Sequence, residues 1–492
     1  MEYMYRSMVI VLGIALLLLP NTFLFAQAPD TLWTKIYHRD SDDRAYSIQQ
    51  TADSGYFIAA STSPDGATHD VWLLKTDANG DTLWTRTYGG QFDDRCFEAQ
   101  RTSDNGFILT GRTRSFGAGD ADVWLLKTDS LGDTLWTRTY GGDHRDMGQS
   151  VRETQDDCYV VTGYTESFGA GSGDVWLIKT DSLGDTLWTR TYGGASYEAA
   201  QSVQQTSDKG YIMAGLTDSS GSWDAYLIKT DSLGDMLWTK IYGGFGDDFF
   251  ESVQQTFDNG YIITGFTASY GQAGDLYLIK TDENGDTLWT RHWGNAHNID
   301  YGYSVIQIPD SNYIVAGYYN NNTPDVWLLK VDRTGDTLWT AIYGRYAGYY
   351  CDEWAYAVQR TFDGGYILAG KTGDWVFGDI YLIKMASETI GVKENHTTNL
   401  PMPNLEVYPN PFRKKTGIRY QLPDNNDVNV VIYDVSGRLV KAITCPTPNA
   451  LRPTLITWDG RDDADDKLPS GIYFLRFHVN EYVETVKLLL VR

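Results

Sequence analysis

The sequence predicts an all-β chain: a seven-bladed β-propeller closed by its own N-terminal strand, followed by a small C-terminal β-sandwich. Three observations predict it. Two short strings each recur seven times before residue 386. The recurrence is spaced for four short strands per unit, and the incomplete pieces at the two ends of the repeat complement each other. After Met385 the repeat stops, and a different set of alternating strands begins.

At the front of the chain, Arg6 supplies a positive region and Met8 to Leu19 an almost unbroken apolar run, which Pro20 ends. Ala26 offers a small residue before a cut. The run is about 12 residues where a spanning helix needs about 20, so residues 1–26 read as a cleaved signal peptide rather than a membrane anchor. No later segment is apolar enough to span a bilayer, and no transmembrane helix is expected in the mature chain.

Composition narrows the classes further. The net charge is −24, which repels nucleic acid and anionic headgroups, so neither is expected as a partner. An aromatic content of 14% with 49 glycines suits many short strands joined by tight turns. Cys96, Cys158, Cys351 and Cys445 show neither metal-site nor disulfide-framework spacing and read as free thiols. The seven histidines form no HExxH pattern, and neither a nucleophile elbow nor a P-loop is present, so no cofactor, metal or catalytic residue is assigned.

Residues 28–386 carry the repeat. Asp-Thr-Leu-Trp-Thr, or a one-residue variant, places tryptophans at 33, 84, 136, 188, 238, 289 and 339. Asp-x-(Trp/Tyr)-Leu-(Leu/Ile)-Lys begins at Asp70, Asp122, Asp174, Asp224, Asp275, Asp325 and Asp379. One unit reads as strands 252–256, 261–266, 275–281 and 286–293, with Asn259-Gly260 and Asn284-Gly285 supplying the positive-φ residues of tight hairpins. The first Asp-Thr-Leu-Trp-Thr stands before any complete unit, and the last unit, 356–385, lacks a fourth strand. Joining the two closes a ring of seven and leaves no raw edge. The Trp and Leu of each fourth strand are expected to pack between blades. The repeated Lys is expected to be solvated or salt-bridged, and the repeated Asp to form turns. Cys158 replaces a turn glycine, so its turn is expected to differ in shape. This region resembles the Trp-rich repeats of secreted and surface bacterial proteins.

Residues 387–404 are polar, carry Pro401 and Pro403, and read as a linker. From 405 to 492 come Val407-Tyr408-Pro409-Asn410-Pro411-Phe412, then 417–422, 428–433, Trp458-Asp459-Gly460-Arg461, 470–474 and 483–491. This series resembles the C-terminal sorting domain of type IX (Por) secretion substrates and the immunoglobulin-like domain of the flagellar hook-capping protein FlgD. The resemblance implies an Ig-like β-sandwich that engages secretion machinery and directs export or surface attachment. Asp459, Asp462, Asp463, Asp465 and Asp466 lack EF-hand spacing and read as a solvated hairpin tip.

The connections between strands two and three, and between strand four and the next blade, vary among copies and must emerge on one face. Variable loops on a rigid scaffold are the usual place for recognition. That face carries Phe116, Phe168, Trp223, Tyr270, Trp354, Trp375, Tyr346, Tyr349 and Tyr350, with the acids Asp93, Asp94, Asp247, Asp248, Asp300, Asp352 and Glu353. Trp223, Tyr270, Trp354 and Trp375, with Asp94, Asp248 and Asp300, are the candidate ligand-binding residues. Aromatic rings with carboxylates suit an extracellular glycan or protein. The expected function is a secreted or cell-surface binding or adhesion protein. The alternatives are a secreted hydrolase or lyase acting on polysaccharide and a non-catalytic extracellular scaffold.

Overall fold

The computed structural model describes residues 28–388, except 65, 67, 219–220, 272, 345–351 and 374–376, and residues 404–491, except 422–427, 435–438, 445–453 and 480–481. The expected signal peptide, Trp375, Tyr346, Tyr349, Tyr350, Cys351, Cys445 and most of the linker lie outside the described residues. The chain divides into two compact units, Met1–Glu388 and Thr389–Arg492. The described residues contain strands and turns, and none of them is helical.

In the first unit, consecutive strands pair antiparallel in arrays of four, as propeller blades do. The arrays span residues 42–88, 94–140, 146–192, 198–242, 248–293 and 301–343, and a seventh joins 352–385 to the N-terminal strand Thr31–Tyr37. Two turns recur, and local chemistry fixes both. Between strands one and two, Thr51 N–H bonds Gly55 C=O across a left-handed Ser54 (φ 65°). Between strands three and four, the Asp77 carboxylate accepts from Asn79 N–H and Asp81 N–H, while Gly80 takes φ 79°. The turn at Cys158 does not differ as expected. Thr154 N–H still bonds Cys158 C=O at 2.8 Å across Asp157 (φ 57°), because the left-handed residue is the one before the glycine position. The change falls instead on Lys179, which turns to Thr154 Oγ1 and Asp156, whereas Lys75 and Lys127 also reach the carbonyl of the following threonine.

The repeated lysines are salt-bridged and sunk in the fold. Lys75, Lys127, Lys179, Lys229, Lys280, Lys330 and Lys384 are only 2–7% exposed, and each meets the aspartate of its own first turn at 2.8–3.1 Å.

Neighbouring arrays are latched by the outer strand. Trp188 lies edge-on to Tyr211 of the next array, and its ring rests against Gly234 in that array's second turn. Tyr192 Oη donates to Gly234 C=O, and Arg190 pairs with Asp235. The same contacts recur for Tyr37 with Gly80, Tyr140 with Gly184 and Tyr242 with Gly285. The leucine beside each tryptophan was expected to pack between arrays; Leu338 does, against the core of the sixth and seventh, but five others do not. Leu83, Leu135, Leu187, Leu237 and Leu288 are more than half exposed, because strand alternation turns them outward when the tryptophan turns inward.

The latch yields a sharp test. A Cβ on Gly234 would sit 2.7 Å from the Trp188 ring at φ +78°, whereas one on Gly194 meets nothing within 4 Å. Gly234→Ala is expected to cost about 2 kcal/mol or more, from left-handed strain and overpacking together. Gly194→Ala should stay within about 0.5 kcal/mol of the parent. Urea unfolding of both variants checks this.

The ends of the repeat meet. Thr31–Tyr37 pairs antiparallel with the last strand, Gly378–Met385, from Thr31 opposite Met385 to Tyr37 opposite Ile380. Asp30 C=O accepts from Ala386 N–H, and Glu388 binds both Lys330 and Tyr366. The sheets of the first and seventh arrays are joined by one parallel bridge, Asp42 to Gly378, and the arrays share a core that includes Ala45, Ile48, Ile367 and Leu382.

The second unit holds a three-stranded sheet (Asn404–Tyr408, Thr416–Gln421, Thr454–Trp458) and a four-stranded sheet (Leu439–Thr444, Val428–Asp434, Gly471–Val479, Tyr482–Leu490). Ile418, Tyr420 and Trp458 from one meet Val430, Ile432, Leu475 and Phe477 from the other in one core. Trp458 packs edge-on to Tyr473 and donates to Arg461 C=O. At the acidic hairpin, Asp462 accepts the N–H groups of Ala464 and Asp466, the bonding of a turn-former. Among the described residues, no helix is long and apolar enough to cross a membrane.

Candidate functional site

The innermost strand of every array carries a β-bulge at the same place. The register breaks between Ala45 and Ser47, Cys96 and Glu98, Gly148 and Ser150, Ala200 and Ser202, Phe250 and Ser252, Gly302 and Ser304, and Ala355 and Ala357. A bulge leaves one residue out of the ladder and re-aims it. Those residues, Tyr46, Phe97, Gln149, Gln201, Glu251, Tyr303 and Tyr356, line a cavity of about 500 Å³. In six of the seven arrays a glycine stands opposite, one strand outward. Any Cβ at Gly111, Gly163, Gly215, Gly265, Gly317 or Gly370 would lie 1.7–2.0 Å from a carbonyl oxygen of the bulged strand. Glycine permits this close approach in six arrays, whereas the first array bulges opposite Ala60.

The cavity has two unlike sides. Tyr303, Tyr356, Tyr46 and Phe97 follow one another as an aromatic arc, with centroids 4.8, 5.1 and 5.8 Å apart. Gln149, Gln201 and Glu251 form the polar side. Beneath them the lining is structural: Ser150, Ser202 and Ser252 accept backbone N–H groups from the next array, which ties the inner strands together.

Glu251 accepts a hydrogen bond from Tyr301 Oη at 2.7 Å. Loss of water around it deep in the cavity raises its carboxyl to about 7, against the opposing pull of that bond. A carboxyl raised in the fold favours the protonated form. Its contribution is therefore complete below about 4.5, its unperturbed value, and is lost as pH climbs through about 7. Glu251→Gln, which keeps an acceptor for Tyr301, is expected to flatten this segment of the stability profile and to gain on the order of 2 kcal/mol over the parent at pH 8. Thermal melts from pH 4 to 8 read it.

One step toward the variable-loop face, the mouth divides again. A stacked ladder runs Phe249, Phe266, Tyr301, Tyr318, Trp354, with neighbouring centroids 4.9–5.9 Å apart. Lys371 Nζ lies 5.0 Å over the Trp354 ring. Beyond it come Arg44 and Arg95, then Arg112, gathered around His69. His69 Nδ1 meets Asp93 at 3.0 Å and Nε2 meets Asp42 at 3.2 Å. Burial alone would lower the His69 pKa, but these two carboxylates outweigh it and raise it. Burial pushes Asp93 up, yet His69, Arg95 and Arg112 hold it well below the usual carboxylate range.

The sequence-predicted residues fall into three places. Trp354 stands in the mouth ladder and also lines an adjoining cleft of about 560 Å³ with Tyr318, Asn320 and Asp352. Trp223 and Tyr270 lie farther out. Trp223 sets its edge against Tyr197, while Tyr270, 41% exposed, packs on Tyr277 and donates to Gly243 C=O. Phe116 and Phe168 sit likewise over Trp124 and Trp176. Asp94, Asp248 and Asp300 belong to a recurring buried set with Asp43, Asp146, Glu198 and Glu353. Asp94 accepts from Gly90 N–H and Ser115 Oγ, Asp248 from Gly244 N–H and Ser269 Oγ, and Asp300 from Asn295 N–H and Asn320 N–H. They tie the loops of this face to the sheets. Burial raises Asp300 to about 6 despite those N–H bonds.

The bulged residues and the charged cluster about His69 were not read from the sequence. The glycine that recurs in the middle of the second strand of six arrays was the available signal, since an isolated strand glycine marks a bulge or close backbone approach. Among the described residues, one group reaches metal-ligating proximity: His38, Asp43 and Asp379. His38 pairs with Asp379 at 2.7 Å, and Asp43 accepts from Arg39 and Asp40 N–H.

These features define a repeat unit of four-stranded β-arrays with an axial lining, joined to an Ig-like unit. Residues 412–480 match the FlgD Ig-like domain family. No curated protein matches the chain. Similar solved structures include PorZ, an essential bacterial surface component of the type IX secretion system of Porphyromonas gingivalis (12% identity, 92% of this chain, TM-score 0.44), of which the chain spans 60%. They also include a fungal alcohol oxidase in complex with copper (14% identity, 94% of this chain and 100% of that one, TM-score 0.46). A third is an ulvan lyase from a polysaccharide lyase family (10% identity, 72% of this chain and 96% of that one, TM-score 0.44).

Proposed function

We propose that the chain is an exported or cell-surface binding protein. In this reading residues 28–386 form a closed seven-bladed propeller that presents a ligand site at the mouth of its axial cavity. The C-terminal Ig-like domain serves export or surface attachment through secretion machinery. The single observation that carries the binding role is the aromatic ladder ending at Trp354, which opens beside a cavity whose lining every array supplies through a bulge. Aromatic rings on a rigid scaffold are the usual anchors of recognition, for glycan and protein alike, and Trp354, 7% exposed, lies at the floor of the adjoining cleft.

The test is a glycan and protein array probed with the full chain, alongside a hydrolase and lyase panel. Trp354→Ala is expected to weaken the captured ligand at least about tenfold, with its melting profile followed in parallel and no turnover on the panel. Full retention of binding by a folded Trp354→Ala would remove the ladder from the site.

A second reading, a hydrolase or lyase acting on polysaccharide, draws on Glu251 and Tyr301. A carboxyl near neutrality, bonded to a phenol and facing a cavity, is poised for acid–base work. Turnover on the panel that Glu251→Gln abolishes would establish that reading over the first.

A further inference from the structure

Guanidinium groups gather at the mouth of the cavity on a chain whose net charge is −24. Arg95 and Arg112 share one carboxylate, Asp93, and His69 stands between Asp93 and Asp42. Asp93 alone receives His69 at 3.0 Å, Arg95 at 3.0 Å and Arg112 at 2.6 Å. One carboxylate cannot neutralise two guanidinium groups. Arg112 Nε is buried without a hydrogen-bond partner among the described residues, and an unmet buried donor is costly. Arg44, Arg95 and Arg112 nevertheless keep 15–25% of their side chains open, so an incoming group can reach them. An ion-pair network built only to hold loops together needs balance, and this one is in surplus.

The surplus adjoins ring-shaped recognition surface. Arg44 and Arg95 both act electrostatically on Tyr46, and Arg44 also on Tyr356. Those two rings are 5.1 Å apart in the cavity lining. Across the cavity stand the amides of Gln149 and Gln201 and the carboxyl of Glu251. A ligand matched to this arrangement presents a flat C–H face to the tyrosines, hydroxyls to the amide side and an anionic group to the guanidinium fork. We infer that the site takes an acidic saccharide, a sugar chain bearing carboxylate or sulfate, with its anionic group held by Arg95 and Arg112 and its ring against Tyr46 and Tyr356. Guanidinium pairs bind such planar or tetrahedral anions through charge-assisted bonds, and a cavity of about 500 Å³ falls in the range of small-ligand sites. This rests on the binding role proposed above and names the ligand class.

Calorimetry with the full chain tests it, using tetragalacturonate, a sulfated tetrasaccharide and the neutral maltotetraose. At least one acidic chain should bind about tenfold or more tighter than the neutral one, and its affinity should fall as sodium chloride rises from 50 to about 500 mM. Arg112→Gln and Arg95→Gln should each erase about tenfold of that preference, while Arg112→Lys, which keeps charge but loses the fork, should fall between. Which acidic chain wins identifies the anion. If a Gln variant fails to fold, the wild-type preference and its salt dependence still decide. Equal affinity for acidic and neutral chains, or Gln variants that fold and bind as the parent does, would overturn the acidic ligand and leave the binding role standing. No affinity for any saccharide, with Trp354-dependent capture of a protein on the array, overturns this inference alone. No ligand in either format overturns both.

Discussion

A chain lacking residues 28–37 is expected to lose the cooperative fold of its first unit. That segment supplies the outer strand of the seventh array, pairing from Thr31 to Tyr37. It also supplies Trp33 against Tyr56 and the Tyr37 bond to Gly80, which latch that array to the first. Burying one large aromatic side chain is worth about 1.5–3 kcal/mol, and each ladder bond adds about 1 kcal/mol. The loss is therefore on the order of 5 kcal/mol, comparable to the whole stability of an ordinary domain. Tryptophan fluorescence in urea should show an early, broadened transition, and size exclusion should show expanded or associated material from the bared strand edge. A synthetic 28–37 peptide added in trans should restore the melting profile. If the truncated chain melts as the parent does, the seam is not what holds the ends together.

The second large effect concerns the buried lysines. Asp104→Ala leaves the Lys127 ammonium, 2% exposed, bonded to the uncharged Thr128 carbonyl. Breaking a buried pair from one side typically costs about 3–5 kcal/mol. Asp104 itself is half exposed, so water screens part of this and about 1–3 kcal/mol is expected here. Lys127→Met should cost less than Asp104→Ala, because an apolar side chain of similar length removes the charge along with its partner. Acidity should reproduce the aspartate variant. Partial burial pushes Asp104 up, but bonds from Lys127, Thr102 and Gly106 N–H outweigh it and hold it at about 2. A depressed carboxyl contributes stability above its unfolded value of 3.8, and that contribution fades as pH falls from about 4 to 2. The Asp104→Ala chain should lose less than the parent over that window. A parallel loss in both would show that the pair does not matter.

Much of the framework was legible in the sequence because it repeats. Gly80 and Asp77 announce a hairpin wherever they recur, and the orphan strand at Thr31 found the vacancy beside Met385. The leucine of the same string misled, since a strand shows neighbouring residues to opposite sides and only its tryptophan faces the next array. The site was less legible for the same reason. Asp94, Asp248 and Asp300 stood out as acids among variable loops, yet they are members of a buried recurring set, which alignment of the copies against the strand-two threonines would have shown. Tyr46 and Glu251 are the reverse case. They occupy one position in successive copies, but differ so fully in chemistry that no string connects them. Only the bulge marks that position, with a facing glycine at Glu251 and an alanine, Ala60, at Tyr46. The His69 cluster draws on residues from three arrays and has no local signature at all.

The bulged residue is absent from the ladder and turns its side chain to the cavity, so its identity is less bound by the demands that keep the rest of each copy alike. Tyr, Phe, Gln and Glu already occupy it within one chain. Selection can therefore revise the lining one sector at a time, as a lock is rekeyed by changing single pins, without disturbing the barrel that carries them.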